Sequence, residues 1–131
     1  MEKLRKLLVT ACGVIYLLFG IFHNMFWEFI SKAKNMNPGF IKITQMLNLG
    51  CMVLFLSLGF IFLRYRKDML NSSIGNALLI LSSAFFIIRA GAEFFLPPCA
   101  VPLVISLTLI SIIYLLPVLM KNTKVETISE R

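Results

Sequence analysis

Four long apolar runs dominate the chain, and they determine its predicted elements. The runs cover residues 7–22, 41–63, 74–96 and 101–120. With its neutral flanks, each run reaches the roughly 20 residues that a helix needs to cross a hydrocarbon core about 30 Å thick. The pattern therefore predicts four membrane-spanning helices, at about residues 4–30, 41–65, 72–96 and 101–120.

Short polar segments separate the predicted helices. "SKAKNMNPGF" at residues 31–40 contains an Asn-Pro-Gly turn signal, and "RYRKDMLNSS" at residues 64–73 offers Asn71 or Ser72 as a helix cap. Loops this short place each helix beside the next. We therefore predict an antiparallel four-helix transmembrane bundle.

Three prolines mark predicted helix ends. Pro97 and Pro98 lack amide hydrogens and push the preceding residues out of helical geometry, so the third helix is expected to end by Leu96. Pro117 is expected to kink or end the fourth helix. The polar residues 121–131 are then predicted to form a cytoplasmic tail.

Composition supports an integral membrane protein. The 131 residues are 59% hydrophobic and 15% charged, and the mean hydropathy is +0.88, which is not the balance of a soluble globule. Residues 1–131 are predicted to form a single transmembrane domain. So little chain lies outside the spans that a soluble catalytic or DNA-binding domain is excluded.

The net charge of +7 is explained by topology rather than by nucleic acid, since the basic residues form no continuous patch. Three cations flank the spans on one side, at Lys32, Lys34 and Lys42. Nine lie on the other side, at Lys3, Arg5, Lys6, Arg64, Arg66, Lys67, Lys121, Lys124 and Arg131. The positive-inside rule therefore predicts cytoplasmic N- and C-termini. We expect a multi-pass protein of the bacterial cytoplasmic (inner) membrane.

The start "MEKLRKLLVTACG" is similar to a signal peptide, but the apolar stretch before Cys12 is shorter than the ~7 to 15 residues of a signal core. Helix 1 is therefore predicted to be a retained span. The architecture looks like that of several small bacterial membrane families, including quinone-associated, multidrug-export and glutathione-related ones. Helix 1 has no carboxylate before Glu28, and the three cysteines form no Cys-x-x-Cys pair, so the likeness carries no function.

Two charges lie inside the third apolar run. Arg89 and Glu93 in "SSAFFIIRAGAEFFLPP" are one helical turn apart and can pair as an i,i+4 couple. A charge near the middle of a bilayer costs ~2.5 to 3.5 kcal/mol on insertion scales, so each needs a partner or a function. Counted from Ser72, Arg89 lies about 25 Å along the helix, in the outer third of the membrane. Whether the pair faces the bundle or the interface stays open.

Helices 1 and 2 bring further polar side chains to a similar depth. Helix 1 has a one-sided stripe with two glycines for close approach, formed by Gly13, Tyr16, Gly20, His23 and Trp27. Helix 2 contributes Gln45 and Asn48 near its outer end. The stripe could also be structural, because Gln45 and Asn48 are typical of contacts between membrane helices and Trp27 fits an aromatic belt.

The coincidence of depth favours an outward-facing polar pocket made by helices 1, 2 and 3. The predicted ligand-binding residues are Arg89, Glu93, His23, Gln45, Asn48, Tyr16 and Trp27. Arg89 would anchor a carboxylate or phosphate, and the neutral side chains would add hydrogen bonds. One histidine without an acidic cluster predicts no metal centre, and no cofactor is expected.

Three functions remain open. The leading prediction is binding, and as its use transport, of a small amphipathic or anionic molecule. Four helices enclose little volume, so transport would need a homo-oligomer or a larger membrane partner. The second is an accessory, assembly or immunity-type subunit whose polar cluster is structural. The third is an enzyme acting on a lipid or isoprenoid, with Glu93 or His23 as acid or base, although the chain has no nucleophile motif.

Overall fold

The computed structural model describes residues 2–32, 37–95 and 100–129, with side chains up to residue 120. These residues form helices without strands, which confirms the all-α prediction for the described part of the chain. The helices are α1 (Glu2–Ser31), α2 (Pro38–Arg64), α3 (Arg66–Asn71), α4 (Ser73–Phe95) and α5 (Val101–Ser129). The four long ones are also apolar enough to cross a membrane. The predictions for Lys34, Leu96, Pro97, Pro98 and Arg131 lie outside the described residues.

Helix α2 begins where the sequence indicates a turn. The side-chain oxygen of Asn37 accepts a hydrogen bond from the Gly39 amide at 2.8 Å, and its backbone oxygen accepts one from Ile41 at 3.0 Å. Asn37 is thus an N-cap, and Pro38 occupies the first helical position, where its missing amide costs nothing. The Asn-Pro-Gly signal is therefore a helix start.

The basic loop between the second and third spans contains the short helix α3. Ser72 then caps α4 as predicted, because its hydroxyl accepts from the Gly75 amide at 2.9 Å while donating to the Asp68 carbonyl at 2.7 Å. At the other end of the chain, α5 neither ends nor breaks at Pro117 but continues to Ser129.

The chain divides into two compact units. The first contains Met1–Thr10 and Tyr65–Arg131, and the second contains Ala11–Arg64. In the first unit, α4 packs on both α3 and α5. The hydroxyls of Ser83 and Ser111 lie 2.8 Å apart, and Ser111 donates to the Ser83 carbonyl at 2.9 Å. Ser111 therefore joins two helices, whereas Ser106 and Thr108 bond back to carbonyls of α5 itself.

In the second unit, α1 and α2 approach closely at glycines. A Cβ on Gly20 would meet the side chain of Leu56, and a Cβ on Gly59 would meet Leu17 and the Gly13 carbonyl. Between these points the buried Tyr16 ring lies 5.8 Å from Phe55 and 5.5 Å from Phe62, centroid to centroid. Lipid tails are as apolar as leucine, so the hydrophobic effect does not drive helices together in a membrane. Close backbone approach and ring packing stabilise membrane helix pairs instead.

Candidate functional site

The polar stripe of α1 faces α2. Gly13 and Gly20 provide the close approach, Tyr16 packs on two phenylalanines, and His23 is hydrogen-bonded to α2. Trp27, one turn beyond His23, lines the same cavity as His23. The spacing of these residues in the sequence therefore identified the face of α1 that packs on its neighbour.

Asn48 binds His23 with both ends of its carboxamide. Asn48 Nδ2 donates to the His23 backbone oxygen at 2.7 Å, and Asn48 Oδ1 lies 2.6 Å from His23 Nδ1. Asn48 is only 7% exposed, and the His23 ring lies 5.2 Å from the buried Phe55 ring. The pair is thus a polar contact between two apolar helices.

This arrangement determines which ring nitrogen of His23 carries hydrogen. A backbone carbonyl can only accept, so the atom of Asn48 that faces it must be the amide nitrogen. The amide oxygen then faces Nδ1 and can only accept, so Nδ1 must donate a hydrogen. In the neutral ring, the lone pair is consequently on Nε2. In its neutral form, His23 therefore offers a hydrogen-bond acceptor on Nε2, and Asn48 fixes the orientation of the ring.

A cavity of about 220 Å³ lies beside this pair. Its wall combines polar and apolar side chains from α1 and α2, namely His23, Asn24, Trp27, Asn48, Leu49 and Met52. The volume is below the roughly 300 to 1,000 Å³ of drug-sized pockets, so the cavity has room only for a small molecule. The composition of the wall matches a molecule with an apolar body and one polar group.

Two predicted site residues of the same unit lie elsewhere. Tyr16 is 2% exposed between Phe55 and Phe62, which makes it a packing residue. Gln45 Nε2 donates to the Ser31 hydroxyl at 2.8 Å. Neither residue is part of the cavity wall described above. Gln45 instead forms a separate polar link between the C-terminal end of α1 and the N-terminal part of α2.

Arg89 and Glu93 form the expected ion pair on α4. Arg89 Nη1 lies 2.9 Å from Glu93 Oε2, and the two side chains are 49% and 16% exposed. The Glu93 side chain is thus the more buried partner of the pair. An arginine side chain with about half of its surface exposed is also able to extend its guanidinium outward along its stem. The predicted pocket shared by these two residues with helices 1 and 2 stays a prediction.

Three residues of the cavity wall, Asn24, Leu49 and Met52, are not among the residues predicted from the sequence. Met52 could have been found, because it lies one turn from Asn48 just as Trp27 lies one turn from His23. Asn24 and Leu49 directly follow His23 and Asn48 in the chain. No periodicity signal distinguishes such neighbours from lipid-facing positions.

Among the described residues, no group of three or more His, Cys, Asp or Glu side chains is placed to hold a metal ion. Comparison of the chain with protein-family models, curated proteins and solved structures found no match. The functional interpretation therefore depends on the geometry of the chain itself.

Proposed function

We propose that this chain is an integral membrane protein that binds a small amphipathic molecule in the cavity beside His23. In this proposal α1, α2, α4 and α5 cross the membrane in alternating directions, and both termini are cytoplasmic. Nine cations at one set of helix ends against three at the other support that orientation. The four long apolar helices support membrane insertion.

One observation supports the proposed class of ligand, a small molecule with one hydrogen-bond donor and an apolar body. The two hydrogen bonds between Asn48 and His23 orient the imidazole and leave Nε2 as the acceptor of the neutral ring, in a wall otherwise made largely of apolar groups. A hydroxyl or N–H group on the ligand would donate to Nε2, and its apolar body would contact Trp27, Leu49 and Met52. Anchoring of an anionic ligand by Arg89 remains a second form of the proposal.

Transport is the use that we assign to this binding. Four helices enclose little volume, so a path for the ligand requires more than one copy of the chain or a larger membrane partner. Light scattering of the protein in detergent tests this part separately. A strictly monomeric protein would contradict transport by a homo-oligomer without affecting the binding proposal.

The binding proposal is tested with cyclohexanol and methoxycyclohexane, which share a ring but differ in the hydroxyl donor. Trp27 is the single tryptophan of the chain and lines the cavity, so its fluorescence reports occupancy. We expect cyclohexanol to bind about threefold to tenfold more tightly, the effect of one net hydrogen bond. In His23→Leu the difference should vanish, whereas Gln45→Leu should retain it. Equal affinities in the unmodified protein would contradict the proposal.

A further inference from the structure

A second cavity lies where α1 begins. It has a volume of about 260 Å³ and is lined by residues from the start of α1 and from α3, namely Glu2, Arg5, Lys6, Lys67, Leu70 and Asn71. All of these residues belong to the first compact unit. The cavity thus lies between the polar start of the predicted membrane span α1 and the short helix α3.

The wall of this cavity is positively charged. Arg5, Lys6 and Lys67 contribute cations, and Glu2 is its carboxylate. Glu2 is already engaged, because its Oε1 lies 2.6 Å from Lys6 Nζ one turn further along α1. One acid against three bases leaves a surplus of positive charge from Arg5 and Lys67.

Arg5 is held in place by backbone carbonyls. Its Nε donates to the Pro117 oxygen at 3.1 Å, and its Nη2 donates to the Leu70 oxygen at 3.1 Å. A guanidinium has up to five N–H donors, so these bonds leave others for a ligand. Because the side chain is fixed before any ligand arrives, binding would cost little additional side-chain entropy.

We propose that this cavity binds a phosphate group, either in the headgroup of an anionic phospholipid or as free phosphate. Phosphate oxygens accept several hydrogen bonds at once, and a guanidinium fork matches their geometry. Lys67 adds a point charge, and the Asn71 amide adds a neutral donor. Basic pockets between membrane helices recognise anionic headgroups through this chemistry. The inference is independent of the cavity beside His23.

The membrane topology of the chain does not by itself require these cations to surround one cavity. The positive-inside rule depends on the number of cations beside a span and not on their positions relative to a cavity. Lys3 has the same charge and the same helix end as Lys6, yet it is not part of the cavity wall described above. A comparison of Lys3 variants with Lys67 variants therefore distinguishes a general effect of positive charge from binding in this cavity.

The first test counts bound lipid on the purified full chain by native mass spectrometry. Phosphatidylglycerol is the probe, phosphatidylcholine is the comparator without net charge, and inorganic phosphate is the competitor. Lys67→Gln is preferred to an Arg5 variant, because Arg5 also holds three helical segments together. We expect Lys67→Gln to weaken phosphatidylglycerol binding about fivefold, the effect of one basic residue near a membrane surface. Lys3→Gln should leave it within about twofold.

The second test changes the charge in the opposite direction. Glu2→Gln removes the carboxylate from the wall, so phosphatidylglycerol should bind about fivefold more tightly. Glu28→Gln is the matched control, since Glu28 forms the same i,i+4 pair with Lys32 at 3.4 Å outside the cavity. Release of lipid by inorganic phosphate would assign the site to the free anion, and retention would assign it to the headgroup. Equal losses in Lys67→Gln and Lys3→Gln, or equal gains in both glutamate variants, would overturn the proposal.

Discussion

Asn48 shows how one carboxamide is satisfied between apolar helices. Its two ends bind the backbone oxygen and the ring of the same residue, His23, so neither polar end of the amide lacks a partner. An unpaired polar group between apolar helices costs ~1 to 3 kcal/mol. Because both the oxygen and the nitrogen of the Asn48 amide are hydrogen-bonded, the Asn48–His23 pair stabilises the contact between the helices. The same two bonds orient the imidazole ring.

Replacement of Asn48 by alanine should therefore destabilise the protein. We expect Asn48→Ala to lower the free energy of unfolding by ~1 to 2 kcal/mol, because interhelical bonds in membranes contribute ~0.6 to 2 kcal/mol and His23 loses its partner. Gln45→Ala removes a comparable but exposed amide bond and should cost less than ~0.5 kcal/mol. Reversible unfolding in mixed micelles, followed by circular dichroism, measures both. Equal costs would mean that the burial of Asn48 is irrelevant.

The Arg89–Glu93 pair calls for a double-mutant cycle. Arg89→Met alone leaves the 16% exposed carboxylate of Glu93 without its cation and should cost ~1 kcal/mol or more. Arg89→Met combined with Glu93→Leu should recover most of that loss, since both charges are then absent. The same unfolding measurement applies. A double variant less stable than the single one would point to a role for each charge outside the pair.

Among single residues, polarity and helical spacing predicted that His23, Asn48 and Trp27 belong to one site, and the structure places all three in the wall of one cavity. The sequence did not determine hydrogen-bond partners, because a long side chain such as Gln45 reaches several acceptors from one helix position. Gln45 therefore bonds to Ser31 rather than lining the cavity. The tautomer of His23 follows only from the orientation of Asn48, which no spacing encodes.

The contact between α3 and α4 depends on a glycine. A Cβ on Gly75 would overlap backbone atoms of Met69, and backbone cannot move aside as a flexible side chain can. We expect Gly75→Ala to destabilise the protein by ~1 to 3 kcal/mol through overpacking. Gly91→Ala on the same helix meets nothing within 4 Å and should be neutral or stabilising by up to ~1 kcal/mol. Stabilisation by both would contradict the packing described here.

Helix α3 illustrates what a hydrophobic pattern leaves out. Its six residues, RKDMLN, contain two buried apolar side chains, Met69 and Leu70. A six-residue segment is shorter than two helical turns, so it cannot display a 3.6-residue period. The spans were predictable for the opposite reason, since runs of roughly 20 apolar residues have few alternatives to a membrane helix.

At the scale of the whole molecule, the distribution of cations makes a topological prediction. With both termini cytoplasmic, reporter fusions at residue 131 should be active only with a cytoplasmic reporter, and fusions between α1 and α2 only with an external one. Apolar patterns determine the spans but not how helices rotate about their axes, which depends on contacts such as Gly59 against Leu17. For the orientation, activity of an external reporter fused at residue 131 would contradict the prediction that the C-terminus is cytoplasmic.

We propose that Asn48 orients the ring of His23 so that, in the neutral form, its acceptor nitrogen Nε2 is available to a ligand. His23 is the single histidine of the chain, so ¹⁵N-histidine labelling yields one imidazole spectrum. In the neutral ring we expect hydrogen on Nδ1, and cyclohexanol should shift the Nε2 resonance while methoxycyclohexane leaves it nearly unchanged. Hydrogen on Nε2, or an Nε2 resonance that responds to both compounds alike, would contradict the account.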